Sequence, residues 1–201
     1  TNQIKAVGLC DSNNLCGALE FSESIAKSKT QPIIGTQINI QYKGHNGKIP
    51  LFAQNLEGYK NLIKLSSKSF LEIKENEEPH CSIEDIAANY KGLILLSGSF
   101  DGLIGKLFFK NLTDEIFLLF RKFKKILNNN FYLEIQRHDE DGEKLFEKFL
   151  LNTSEELMLP LIATHEVFYL EKNMHEAHDA YLCVGEKTYV HVKERRKYTD
   201  T

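Results

Sequence analysis

The residues best suited to chemistry stand at the ends of short apolar runs. Asp11-Ser12, Gln37, Ser97 and Ser99, Glu134 with Gln136 and His138, and Thr164-His165-Glu166 each close such a run. In an α/β barrel the carboxyl ends of the strands face the active site, so polar groups there gather at one mouth. A hydrolytic metal site needs imidazole and carboxylate ligands from several strands, with a position left open for water. Asp11, His138 and Glu166 offer part of such a set. Ser12 and Gln37 are neutral where it would want His and Glu. Plainer readings stand beside these. Asp11 after an apolar strand is a ready Asx-turn or helix cap, and His138 lies in Arg137-His138-Asp139-Glu140-Asp141, a charged run that suits a solvated loop.

Other chemical signals are weaker. His175 and His178 have a helical spacing able to bind metal, but Glu176 and Asp179 beside them favour a surface helix. The glycine-rich stretch 98–105 lacks the order of a phosphate loop, and neither GxGxxG nor a GxSxG elbow is present. The basic run 121–125 follows Phe117, Leu118 and Phe120, as in an amphipathic barrel helix. Cys16 and Cys183 read as small core residues.

The elements that must position these groups alternate along the chain. Apolar runs at 4–9, 33–40, 49–53, 93–97, 131–135 and 161–164 predict strands, with a turn at 44–47 and a glycine-rich turn at 98–105. Helical spacing predicts helices over 13–27, 56–71, 83–90, 114–127, 142–152 and 174–184. Ser82 and Thr113 are placed to cap two of them. Repeated strand–helix alternation predicts a parallel β/α barrel or an open α/β sheet.

Composition bounds the rest. With 201 residues the chain can bury a substantial core in one domain. A net charge of -3 argues against binding nucleic acid by bulk electrostatics. Four cysteines without a CxxC pair predict a reducing, cytoplasmic setting. No apolar run approaches a membrane span of about 20 residues, and no signal peptide is visible. The chain opens close to a strand without an initiator Met, as a piece of a longer protein would.

Several segments then become specific in combination. Asp11-Ser12-Asn13-Asn14-Leu15-Cys16-Gly17-Ala18, Pro32-Ile33-Ile34-Gly35-Thr36-Gln37, Ala53-Gln54-Asn55-Leu56-Glu57-Gly58-Tyr59-Lys60-Asn61-Leu62, Gly92-Leu93-Ile94-Leu95-Leu96-Ser97-Gly98, Tyr132-Leu133-Glu134-Ile135-Gln136-Arg137-His138 and Ala177-His178-Asp179 occur in that order. Together they resemble the PHP (polymerase and histidinol phosphatase) domain of bacterial DNA polymerase III alpha subunits, the C-family replicative polymerases. The resemblance covers nearly the whole chain, and the Ala-Gln-Asn-x-x-Gly-Tyr-x-Asn-Leu run points to the polymerases rather than to PHP phosphatases.

That resemblance implies a distorted, TIM-like (β/α)7 barrel over residues 1–186, lacking its first strand in this piece, with 187–201 as a connector toward the polymerase core. It also implies a mouth that in metal-competent members binds up to three metals. Here the family's Thr-Asp-His appears as Cys10-Asp11-Ser12 and its Gly-x-Glu as Gly35-Thr36-Gln37. A His position falls at about Lys48, a Cys-like position at Ser99, and the closing Asn-Asp-x-His at His165-Glu166-Val167-Phe168. Losing a ligand or its support costs roughly 10–100-fold in affinity or activity. The expectation is therefore a catalytically inactive domain with no cofactor of its own, which supports the polymerase and docks a proofreading exonuclease subunit. The parent would use Mg2+ and meet DNA, with no membrane partner. The rival expectation is a phosphoesterase, a pyrophosphatase or 3′–5′ exonuclease, using Zn2+ or Mn2+ on Asp11, His138 and Glu166.

Overall fold

The structure, a computed structural model, describes residues 4–195 and 197–198. The ends of the 1–186 domain and of the 187–201 connector, residues 1–3 and 199–201, therefore lie outside the described residues.

Six strands form one sheet in the order β1 (Ala6–Ser12), β2 (Gln31–Tyr42), β3 (His45–Ala53), β4 (Leu93–Leu96), β5 (Phe131–Ile135) and β6 (Leu161–Ala163). β1 runs parallel to β2, and β4, β5 and β6 run parallel to one another. β3 is antiparallel to both neighbours, so the sheet is mixed. The reversal is local. Lys43 and Gly44 both take positive φ, 48° and 78°, which builds a two-residue hairpin whose twist matches the strands. The turn expected at 44–47 thus closes at Gly44, and Gly47 lies inside β3, paired with Ile40.

The helices are α1 (Ala18–Lys27), α2 (Leu56–Leu71), α3 (Ile83–Ala88), α4 (Leu103–Phe109), α5 (Thr113–Leu127), α6 (Glu143–Leu157) and α7 (His175–Gly185). Ser82 caps α3 in a reciprocal capping box with Asp85, as its position predicts. Thr113 does not cap α5, which is preceded by Leu112 without a side-chain cap. α6 continues past the expected stop at 152 because Phe146, Leu150 and Thr153 keep one face buried, and it ends at Met158 in the left-handed region. α4 is the element that composition conceals. Its run is rich in glycine, yet Leu103, Ile104 and Leu107 are all buried, and Gly105 sits against the backbone of Phe100 where a Cβ would clash.

One hydrophobic core lies on the helix side of the central strands. Ile38, Ile40, Ile49, Leu51, Leu95, Phe131 and Leu133 meet Leu62 and Leu65 of α2 and Phe120 and Phe123 of α5. The rings of Phe120 and Phe123 each stand 5.5 Å from Phe131. The outer strands β1 and β6 contain no buried residue. Among the described residues no helix is long and apolar enough to cross a membrane.

Candidate functional site

Register decides which side chains share the face opposite the helices. Alternate residues of a strand point to opposite faces, and residues paired across a ladder point to the same one. Gln37 pairs with Ser12 on β1 and with Pro50 on β3, and Asn39 pairs with Lys48. Ile38, Ile49 and Leu51 occupy the helix side. Ser12, Gln37 and Lys48 therefore share the other face, and the ladder through Leu96–Tyr132 and Glu134–Ile162 carries that face to Glu134.

Asp11 does not join them. The sequence ended the first strand at residue 9, leaving Asp11 in the turn, whereas β1 runs on through Ser12 because Asp11 and Ser12 pair with Thr36 and Gln37. The Thr36 hydroxyl donates to the Asp11 carbonyl at 2.8 Å and holds that register. Within a strand Asp11 takes the parity opposite to Ser12. Its carboxylate lies beside Gly17, at the entry to α1. The turn role falls instead to Asn13, whose φ is 57° and whose side chain accepts from the Asn39 amide.

The chain after β6 completes the mouth. Gln37 Nε2 donates to Glu166 Oε1 across a long 3.5 Å bond, joining residues 129 apart in sequence. The rings of His138 and His165 stack with centroids 4.6 Å apart. Both line a cleft of about 300 Å3 that Glu166, Phe168, Lys172 and Tyr198 share. Phe168 is packed between rings, 4.2 Å from Tyr198 and 5.2 Å from His178. Ser99 turns to Asp101, to which its hydroxyl donates. The structure thus gathers Gln37, Glu166, His138 and Phe168 around one mouth, sets Ser12 and Lys48 on the same face of the sheet, and keeps Asp11 apart.

Glu134, which the sequence offers only as one polar strand end among several, is the most deeply buried carboxylate of this face. It is 4% exposed, and its Oε1 accepts from Thr164 Oγ1 at 2.5 Å and from Gln136 Nε2 at 3.3 Å. Among the described residues its Oε2 accepts no hydrogen bond of normal geometry, and the Gly98 backbone amide comes near enough to favour the charged carboxylate. Burial pushes the Glu134 carboxyl above the usual carboxylate range, although the bonds from Thr164 and Gln136 oppose the shift. Burial also raises the Cys10 thiol, helped by the charges of Glu134, Glu166 and Asp11, so a thiolate is disfavoured there. The available signal was parity: Glu134 is a charged residue inside a five-residue apolar strand, two positions before Gln136.

These residues do not fit a hydrolytic metal cluster. The Gln37 amide donates to a Glu166 oxygen that a cation would need, Asp11 faces α1, and Phe168 brings a ring without a lone pair. Among the described residues no three His, Cys, Asp or Glu side chains converge as a metal site. The four cysteines are free, with Cys183 buried as expected but Cys16 exposed, since the chain is still in the irregular turn before α1.

Residues 1–138 match the PHP domain family. The chain belongs to that family. It is 36% identical over 200 residues to the DNA polymerase III alpha subunit of Rickettsia prowazekii, which covers 99% of this chain and 17% of that protein. It is 36% identical over 205 residues to the alpha subunit of Caulobacter vibrioides, covering 98% of this chain and 18% of the relative. The PHP chain thus spans less than a fifth of the length of these relatives. A crystal structure from Bifidobacterium adolescentis, provisionally described as a metal-dependent phosphoesterase, superposes on 80% of this chain and 76% of its own with a TM-score of 0.47 and 11% identity. The mixed α/β sheet and the polymerase-type segments agree with the PHP family, and the wholly parallel alternative is set aside by β3.

Proposed function

We propose that this chain is the PHP domain of a DNA polymerase III alpha subunit and that the domain itself hydrolyses nothing. Similarity over nearly its whole length to alpha subunits supports the first half. One observation supports the second: Gln37 and Glu166, where the resemblance implies two carboxylate ligands, bind each other as amide donor and carboxylate acceptor. Such a pair satisfies its own electrostatics, and a second carboxylate in place of Gln37 would need a cation.

In this reading the parent performs template-directed DNA synthesis in the cytoplasm with Mg2+ on carboxylates outside this chain. The domain supports the polymerase core and offers a docking surface to a proofreading exonuclease. Free cysteines agree with a reducing compartment.

The test is elemental analysis of the full-length protein, followed by 3′–5′ exonuclease and pyrophosphatase assays with Mn2+ or Zn2+. The expected result is no stoichiometric metal assignable to this domain and no activity sensitive to its residues. Bound metal together with hydrolysis lost in Asp11→Ala would overturn the reading.

A further inference from the structure

The chain does not run straight out from α7. Thr188 N donates to Cys183 O and Val192 N to Tyr189 O, so the segment after the helix turns back along it. The Arg195 guanidinium then reaches Asp179 with two bonds, Nη1 to Oδ1 at 2.5 Å and Nη2 to Oδ2 at 2.6 Å. The same side chain donates from Nε and Nη2 to the Val190 carbonyl, at 3.3 and 3.0 Å, and is 4% exposed. Three residues on, Tyr198 lays its ring 4.2 Å from Phe168 and 5.7 Å from His178, while its carbonyl oxygen stands 2.9 Å from His175 Nε2.

Two features make this more than a tail resting on a surface. A bidentate guanidinium–carboxylate pair fixes direction as well as distance, and Arg195 is withdrawn from water, so both ends are geometrically committed. Tyr198 also forms part of the wall of the 300 Å3 cleft that His138, His165 and Glu166 line. One side of the mouth is therefore made by the returning segment rather than by the sheet.

We propose that residues 186–195 and 197–198 form a strap that closes one side of the barrel mouth, seated through Tyr198 on Phe168 and locked through Arg195 on Asp179. Phe168 is then a seat, a role an imidazole committed to a metal could not fill in the same way. The strap also sets where the chain departs, at the mouth rather than at the far end of α7. This inference is independent of whether the mouth ever takes metal, and its test reads access rather than hydrolysis.

The experiment uses the full-length protein with Glu166→Cys as a probe at the mouth. Labelling of that cysteine by a maleimide is followed by peptide mass spectrometry, and deuterium uptake is followed over 186–198. Tyr198→Ala and Arg195→Ala are expected to raise the labelling rate at least fivefold and to deprotect the strap peptides. Tyr198→Phe keeps the ring and is expected to stay within twofold of the parent. Should Arg195→Ala also deprotect α7 throughout, Tyr198→Ala, which leaves the ion pair in place, decides the matter. Labelling rates within twofold for Tyr198→Ala and the parent would overturn the proposal, as would unprotected exchange over 186–198 in the unaltered protein.

Discussion

Glu134 combines two costs that proteins usually avoid, a buried carboxyl and an oxygen with no well-formed hydrogen bond among the described residues. Thr164 and Gln136 hold only Oε1, so the protonated form is the easier one to bury. The sign of the pH effect follows. The folded protein holds the proton more tightly than the unfolded chain, whose glutamate keeps its ordinary value of 4.5. Stability from this site is therefore greatest below that value and falls as pH rises through the raised folded value. The Glu166 charge adds to burial in keeping the proton on Glu134. Denaturant midpoints at pH 5 and pH 8 check this: the parent is expected to lose stability between them, and Glu134→Gln to lose clearly less. Thr164→Val removes the shortest bond to the carboxyl and leaves a buried acceptor open, an expected cost of about 1–3 kcal/mol.

At the level of elements, some boundaries are written locally and others are not. α2 occupies Leu56–Leu71 and β5 Phe131–Ile135, the spans predicted from apolar spacing. Their signals are local, a cap at Asn55 accepting from Gly58 N in one case and a stop at Asn128–Asn130 in the other. β1 ends three residues beyond its apolar run because its ladder to β2 is a non-local contact, and that extension alone moved Asp11 to the wrong face. α4 was hidden because glycine propensity is a weak prior that tertiary packing overrides. Gly58 shows the same override in the opposite sense. In an exposed helix Gly→Ala gains roughly 0.5–1 kcal/mol. Here a Cβ would collide with the carbonyl of Gly92, so Gly58→Ala is expected to destabilise by about 1–3 kcal/mol or more. Asn55→Ala, which loses the cap, is expected to cost about 1 kcal/mol. Chemical denaturation of both variants against the parent measures the contrast.

Across the whole molecule, the mouth exists because distant parts of the chain meet. Gln37 belongs to the second strand and Glu166 follows the sixth, and their bond reaches across the curled, half-barrel sheet. Sequence alone named both positions, but only the curl of the sheet makes them partners. It also sets Glu134 near enough for the Glu166 charge to help hold its proton. Gln37→Glu is the substitution that separates a vestigial mouth from a working metal site. Without a cation it exchanges an amide donor for a second carboxylate against Glu166. Like charges at about 4 Å cost roughly 1 kcal/mol in water and about 4 kcal/mol at the effective dielectric of a protein surface. The expected outcome is a lower denaturation midpoint at neutral pH, with much of the loss recovered near pH 4 as the pair gains a proton. Added Mn2+ or Zn2+ is expected to restore nothing, because Asp11 faces α1 and Phe168 is held under Tyr198. Recovery of the midpoint by metal in this variant, at neutral pH and reversible with chelator, would show that the remaining donors can still converge on a cation.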